Sequence, residues 1–325
     1  MKRAASIWLI PALLATLVVL SALSLMAGRV WIPLEHLFGG HDPRWAIITQ
    51  LRVPRTLLGL AIGAALGLSG ATLQGYTRNA LADPGLLGVS SMASLGAVLT
   101  LYFNLTATGA TAAFAMAGSG IGVVILLALA DSAGGATTFL LAGVVLNVIA
   151  QAGLSLALML SPNPWAASEI ITWLLGSLAD RSMEEVKTAV PFIVLGSAIL
   201  LTVGRALDAL TLGETGARSV GVSLRRTQVL IAVGVGLACG ASVAVTGVIG
   251  FVGLIVPHLM RPFVGARPGA LLIPSALSGA ALLLAADILV RLAPGAGEVR
   301  LGVAMAALGG PFFLWLLISM RRRLA

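Results

Sequence analysis

Cysteine occurs once in 325 residues, lysine twice, tyrosine twice and histidine three times, and only 10% of the chain is charged. Each scarcity removes a class of chemistry. Cys239 has no partner for an internal disulfide, and His36, His41 and His258 lack the spacing of zinc ligands, so no metal site is expected. A phosphate-binding loop of the form G-x-x-x-x-G-K-[ST] needs a lysine after a glycine, and neither Lys2 nor Lys187 follows one. The chain therefore cannot use ATP in this way on its own. No G-x-S-x-G nucleophile elbow and no H-E-x-x-H helix is present. Gly234, Gly236 and Gly240 imitate a dinucleotide fingerprint, but they lie inside an apolar run with no strand before them. No catalytic residue and no cofactor follow, and the chain does not read as an enzyme.

What the sequence has in excess is apolar surface: 58% of its residues are hydrophobic and 39 are glycine. Soluble domains carry about a quarter charged residues, so this composition marks an integral membrane protein whose glycines let helices pack backbone to backbone. The net charge of +8 would suggest nucleic acid in a soluble chain. Here the arginines sit between apolar runs, where they set topology; the expected contact is lipid, with no nucleic acid.

A span needs about 20 apolar residues. Uncharged runs fall near Ile7 to Ala27, Thr56 to Gly75, Leu86 to Phe103, Ala110 to Ala130, Thr137 to Leu160, Thr188 to Gly204, Thr227 to Thr246, Gly269 to Ala286 and Leu301 to Met320. The first follows Lys2 and Arg3 as a signal peptide would, but its length and the absence of a small-x-small cleavage site favour a retained span. Between Arg226 and Arg261 lie 34 residues, too few for two full helical crossings and too many for one. One limb must then be short or unwound, and Gly247, Gly250, Gly253 and Pro257 place the irregularity in GVIGFVGLIVPH. Non-helical backbone at membrane depth survives only inside protein or against a water-filled cavity, so this limb should lie there.

Counting it as a span gives ten. With a cytoplasmic N-terminus, ten spans put twelve lysines and arginines inside and eight outside, whereas nine spans give nine inside and eleven outside. The positive-inside bias prefers ten, with both termini cytoplasmic. The segment from Leu160 to Lys187 is then external, and its apolar part, Ala166 to Leu178, is too short to cross and reads as a re-entrant or interfacial helix.

Three patterns carry candidate function. Gly59, Gly63, Gly67, Ala71 and Gly75 form a small-residue stripe, the mark of a helix-packing face. Asn147, Gln151 and Ser155 recur every four residues on one face of the fifth span, suited either to an uncharged polar translocation path or to interhelical hydrogen bonds. Arg205 to Arg226 holds six of the 32 charged residues and fits two short helices, near Ala206 to Leu210 and Thr215 to Gly221, separated by Gly213. It reads as a folded polar loop that a partner in water engages. Five identities in sixteen positions relate Arg55 onward to Arg226 onward, which is where an inverted repeat would show. An ion-coupled secondary transporter is the rival reading, but such carriers place acids at mid-membrane and no acid here is central in a span.

The runs LRVPRTLLGLAIGAALGLSGATLQGYTRNALADPGLLGVSS, LLAGVVLN, WLLGSLADRS, LGETGARSVGV, GVIGFVGLIVPHLMR, LLLAADILVR and LGGPFFLWLL resemble, in order and over nearly the whole chain, the FecCD family. Its members are permease subunits of type II ABC importers for iron siderophores, haem and cobalamin. The resemblance implies an all-α integral membrane protein of ten transmembrane helices, residues 1–325 forming one permease domain in the bacterial inner membrane. It implies a dimer with a second permease copy, a cytoplasmic ABC ATPase subunit and a periplasmic substrate-binding protein. The loop matching LGETGARSVGV is the family's ATPase-coupling element, which carries that role to Leu212, Gly213, Glu214, Ala217, Arg218 and Gly221. Arginines matching Arg55 and Arg291 face glutamates of the binding protein in the family; Arg52 lies on the same outer side, and all three are expected to dock it. The chain departs from the family where Ala80 replaces the proline of Arg-Asn-Pro-Leu, where Val248 replaces the proline before Ile249, and where Arg300, Leu301, Gly302 replace Pro-x-Gly. Val248 leaves the break in the short limb to the glycines, and Arg300 adds a positive group to the outer face.

Overall fold

The computed structural model describes residues 2–28, 31, 44–105, 107, 109–130, 135–265, 267–293 and 299–324, with 2–7, 44 and 320–324 described by backbone alone. Arg29, His36, His41 and Asp131 lie outside the described residues. The helices are α1 (Lys2–Met26), α2 (Arg44–Ile47), α3 (Val53–Thr77), α4 (Val89–Tyr102), α5 (Ala110–Leu129), α6 (Ala136–Met159), α7 (Pro164–Leu174), α8 (Met183–Thr202), α9 (Gly204–Leu210), α10 (Gly213–Ser219), α11 (Leu224–Thr246), α12 (Val252–Val264), α13 (Pro268–Leu292) and α14 (Leu301–Leu324). A π-helical turn, Ile48–Arg52, leads into α3, and a 3-10 turn, Pro84–Leu87, leads into α4.

Eight of these elements are long and apolar enough to cross a membrane, and the shorter apolar helices α4 and α12 complete the ten expected. Helix α7 occupies the stretch expected to be too short to cross; it starts at Pro164 with the Asn163 side chain accepting from the Ala166 amide at 2.9 Å. The polar loop folds into two short helices, α9 and α10, as its spacing predicts, with Gly213 opening the second at φ 85°.

Helices α3 and α11 are the most buried spans and form the centre around which the others stand. They are also the two helices that the five-identity alignment pairs. The small-residue stripe of α3 does what its pattern predicts. A Cβ on Gly63 would fall on the Gly279 carbonyl, and one on Gly67 on the Ser275 carbonyl, so α3 and α13 touch backbone to backbone. Gly70 meets Gly253 of α12 in the same way.

The limb between α11 and α12 is broken where expected. Residues 247–251 leave the helical conformation, with Gly247 at φ 72° and Phe251 at φ 68°, and α12 begins immediately after. Glycine adopts such angles without penalty; phenylalanine does not, and its ring fits only because Gly309 of α14 leaves the space. The end of α11 is satisfied from a neighbour: the Ser177 amide donates to the Thr246 carbonyl at 2.8 Å. Pro257 has no amide for the Gly253 carbonyl four residues back. The Gln74 side-chain amide of α3 reaches it instead, at 3.2 Å, and also reaches the Leu254 carbonyl at 3.3 Å. Arg261 holds that glutamine in place through a 2.8 Å bond to its carbonyl oxygen. Ser242, Thr246 and the broken backbone line a narrow cavity with Asp83 and Pro84, the protein-enclosed setting that unwound backbone requires.

The α3–α13 contact generates a paired expectation. Gly67→Ala forces the two backbones apart and should cost about 1–3 kcal/mol, as overpacked cores do. Gly120→Ala on α5, where a Cβ meets nothing within 4 Å, should be neutral or stabilise by up to about 1 kcal/mol. Thermal unfolding in detergent compares the two directly.

Candidate functional site

Helices α9 and α10 project at one end of the bundle, and their charged side chains divide into two sets. Asp208 accepts from the Gly269 amide at 2.8 Å, in the first turn of α13. Glu214 accepts from the Ala136 amide at 2.9 Å, at the first residue of α6. Arg225 donates to the carbonyls of Leu127 and Ala130, at 3.2 and 3.1 Å, where α5 ends. Acids on two helix N-termini and a cation on a C-terminus each oppose the helix dipole and satisfy end groups that have no partner within their own helix. These three groups of the polar loop face the bundle.

The second set faces away. Leu212 and Val220, 66% and 61% exposed, flank exposed Arg218, Thr215, Ser219 and Gly221. Of the residues assigned to coupling, Leu212, Arg218 and Gly221 thus lie on the free surface, Gly213 and Glu214 are half-buried, and Ala217 is fully buried against the core. The result is a small knob with an apolar surface and a cation, anchored by its acids to α6 and α13. The anchoring left faint signals in the sequence: Gly135 precedes α6 and Arg267 precedes α13, neither supplying a side-chain cap, and α5 has no basic residue in its last turn.

At the opposite end, the three arginines assigned to docking turn inward. Arg55 forks onto Asp287, with Nη2 to Oδ1 at 2.9 Å and Nε to Oδ1 and Oδ2 at 3.0 and 3.1 Å. Arg291 pairs with the other oxygen at 3.0 Å and also donates to the Ser24 and Ala27 carbonyls at 2.8 and 3.1 Å. Arg52 donates to the Leu25 and Met26 carbonyls, both at 2.8 Å. The four carbonyls are the C-terminal end of α1, which has no basic residue in its own last turn. All three are engaged within the single chain: Asp287 and Arg291 side chains are 0% and 3% exposed, and of the two arginines on Asp287 only Arg55, at 11%, reaches the surface. The physical reason is desolvation. Orphan carbonyls and a buried carboxylate at the membrane edge claim guanidinium donors before any partner can.

Asn147 is half-buried and accepts from the Ser91 hydroxyl at 2.6 Å, whereas Gln151 and Ser155 are exposed on the surface of α6. They sit among Val144, Val148, Leu156 and Met159, all exposed as well. Among the described residues no cluster of His, Cys, Asp and Glu could hold a metal ion.

The Asp287 cluster can be tested by stability. Asp287→Ala removes the carboxylate shared by Arg55 and the buried Arg291 and should cost about 3–5 kcal/mol, the usual consequence of removing one partner of a buried pair. Adding Arg55→Met and Arg291→Leu should recover much of the loss, read as the melting temperature of the purified protein.

Comparison with known proteins bears on the whole arrangement. Residues 16–319 match the FecCD transport family. The vitamin B12 import system permease BtuC of Vibrio cholerae is 37% identical over 302 residues, covering 91% of this chain and 89% of that protein. The hemin transport system permease HmuU of Yersinia pestis is 35% identical over 320 residues, covering 96% and 95%. The Fe(3+) dicitrate transport system permease FecD of Escherichia coli is 38% identical over 309 residues, covering 92% and 94%. A solved inward-facing conformation of a metal-chelate type ABC transporter superposes with a TM-score of 0.86 at 30% identity, covering 95% of this chain and 98% of its own. A ten-span membrane bundle with a broken eighth span and a protruding two-helix knob, matched at this level over residues 16–319, belongs to the FecCD transport family of ABC importer permeases.

Proposed function

We propose that the chain carries a metal chelate, an iron siderophore, haem or cobalamin, across the bacterial inner membrane, with both termini cytoplasmic. It works as a dimer with a second permease copy. A cytoplasmic ABC ATPase subunit seats on the α9–α10 knob, and a periplasmic substrate-binding protein delivers cargo at the opposite end. Relatives named for vitamin B12, hemin and Fe(3+) dicitrate all handle metal chelates, which supports that class of cargo.

The knob is the observation that carries the reading. Exposed Leu212 and Val220 offer an apolar seat with Arg218 beside it, while Glu214 behind them grips α6. A partner that moves the knob therefore pulls on the helix that holds Asn147, Gln151 and Ser155. Gln151 and Ser155 are exposed in the single chain, and exposed amide and hydroxyl groups at membrane depth need water or a partner rather than lipid. We place the translocation path along that face, between two copies. Of the three outer arginines, Arg55 is the docking candidate, while Arg52 and Arg291 fix α1.

Leu212→Glu with Val220→Glu should abolish co-purification of the ATPase and ATP-driven chelate uptake in proteoliposomes. Glu214→Ala should keep co-purification but cut uptake at least tenfold, and Glu214→Gln, which retains an acceptor oxygen, should restore part of it. Uptake in the Leu212/Val220 double variant at the unaltered level would refute the seat.

A further inference from the structure

At the α7 end, a cavity of about 440 Å³ opens between α7, the turn after it, the last residue of α11 and the start of α14. Its walls include the indoles of Trp165 and Trp173, and two guanidiniums, Arg181 and Arg300, line it from different elements. Glu169 is the one acid lining it. Among the described residues neither arginine forms an ion pair, and Arg181 Nε is buried with no hydrogen-bond partner. A buried donor left unmatched is costly in a folded protein unless something completes it.

The electrostatics run the same way. Burial holds the Arg181 guanidinium below its ordinary value, Glu185 and Asp180 oppose that, and Arg300 lowers it further. Arg300 is thus close enough to oppose Arg181, an effect smaller than the pull of Glu185 and Asp180, and both arginines line a cavity whose one lining acid is Glu169. Arg300 immediately precedes α14, so the positive end of that helix dipole adds to the potential. Planar guanidinium forks suit carboxylates, and indole faces suit a flat or apolar organic body.

We propose that this cavity is an entry subsite for an anionic chelate, its carboxylate groups on Arg181 and Arg300 and its organic body against Trp165 and Trp173. This rests on the importer reading and narrows its cargo: chelates bearing free carboxylates are favoured over those without them. A concave cavity with two tryptophans and two arginines in its walls suits a small molecule better than the carboxylate of a docked protein, which would meet a flat and exposed arginine.

The test uses the full chain in lipid nanodiscs, without ATPase or binding protein, titrated with ferric dicitrate and followed by tryptophan fluorescence. Cyanocobalamin, which has no free carboxylate, is the comparison probe. Wild type should show saturable quenching by ferric dicitrate that weakens with salt, and cyanocobalamin should bind at least tenfold less tightly. Arg181→Gln and Arg300→Gln should each weaken ferric dicitrate binding about tenfold or more, and Arg181→Lys and Arg300→Lys should restore part of it. Helical circular dichroism and monodisperse elution show that each variant folds. Equal binding of the two probes, or Gln variants that bind as wild type does, would overturn the subsite. The latter holds even if those variants lose association with the binding protein, since that result would make the pair a protein-docking site. Because the titration needs no transport, its failure leaves the importer reading standing, and loss of ATP-driven uptake for every chelate would strike that reading alone.

Discussion

Lipid offers no hydrogen bonds, so each helix end that finishes inside this protein must find a partner for its orphan amides or carbonyls within the chain. The solution recurs at five places. Arg52 and Arg291 take the carbonyls at the end of α1, Arg225 those at the end of α5, and Gln74 those freed by Pro257 in α12. Glu214 and Asp208 take amides at the starts of α6 and α13. Five of the 32 charged side chains serve helix ends in this way.

The same constraint turns a static need into a mechanical linkage. The α9–α10 knob is not a free loop, because its acids are the caps of two spanning helices and the arginine beyond it holds a third. Displacement of the knob must carry α6 and α13 with it or leave amides unmatched in an apolar setting, which costs about 1–3 kcal/mol for each such group. The break at residues 247–251 and the backbone contacts of α3 with α13 supply the complementary property. They let helices stand close enough that a shift of one is felt by its neighbours.

Much of the fold was legible in order of hydrophobicity. The spans followed from apolar runs, the broken limb from a length that fits neither one crossing nor two, and the short helix α7 from an apolar stretch too short to cross. The small-residue stripe on α3 marks a packing face in the sequence and forms one in the structure. The roles of the charges were not legible, because the partner of each lies far along the chain: Glu214 caps a helix 78 residues away, and Arg291 binds a carbonyl 267 residues away. Local spacing could pair Asp287 with Arg291, but it could not show that Arg55 shares that carboxylate or that Arg52 and Arg291 finish α1. The signal that points to these partners is a helix end with no cap or compensating charge of its own, as at α1, α5, α6 and α13.

The central claim is that the Glu214 cap transmits motion from the knob to α6. Cys239 is buried, so a single spin label at Ser155→Cys reports the distance between the α6 helices of two copies. With the ATPase bound, ATP should change that distance in the otherwise unaltered chain, and Glu214→Ala should abolish most of the change while ATPase binding and hydrolysis persist. The same ATP-driven change in the Glu214→Ala chain would contradict the account.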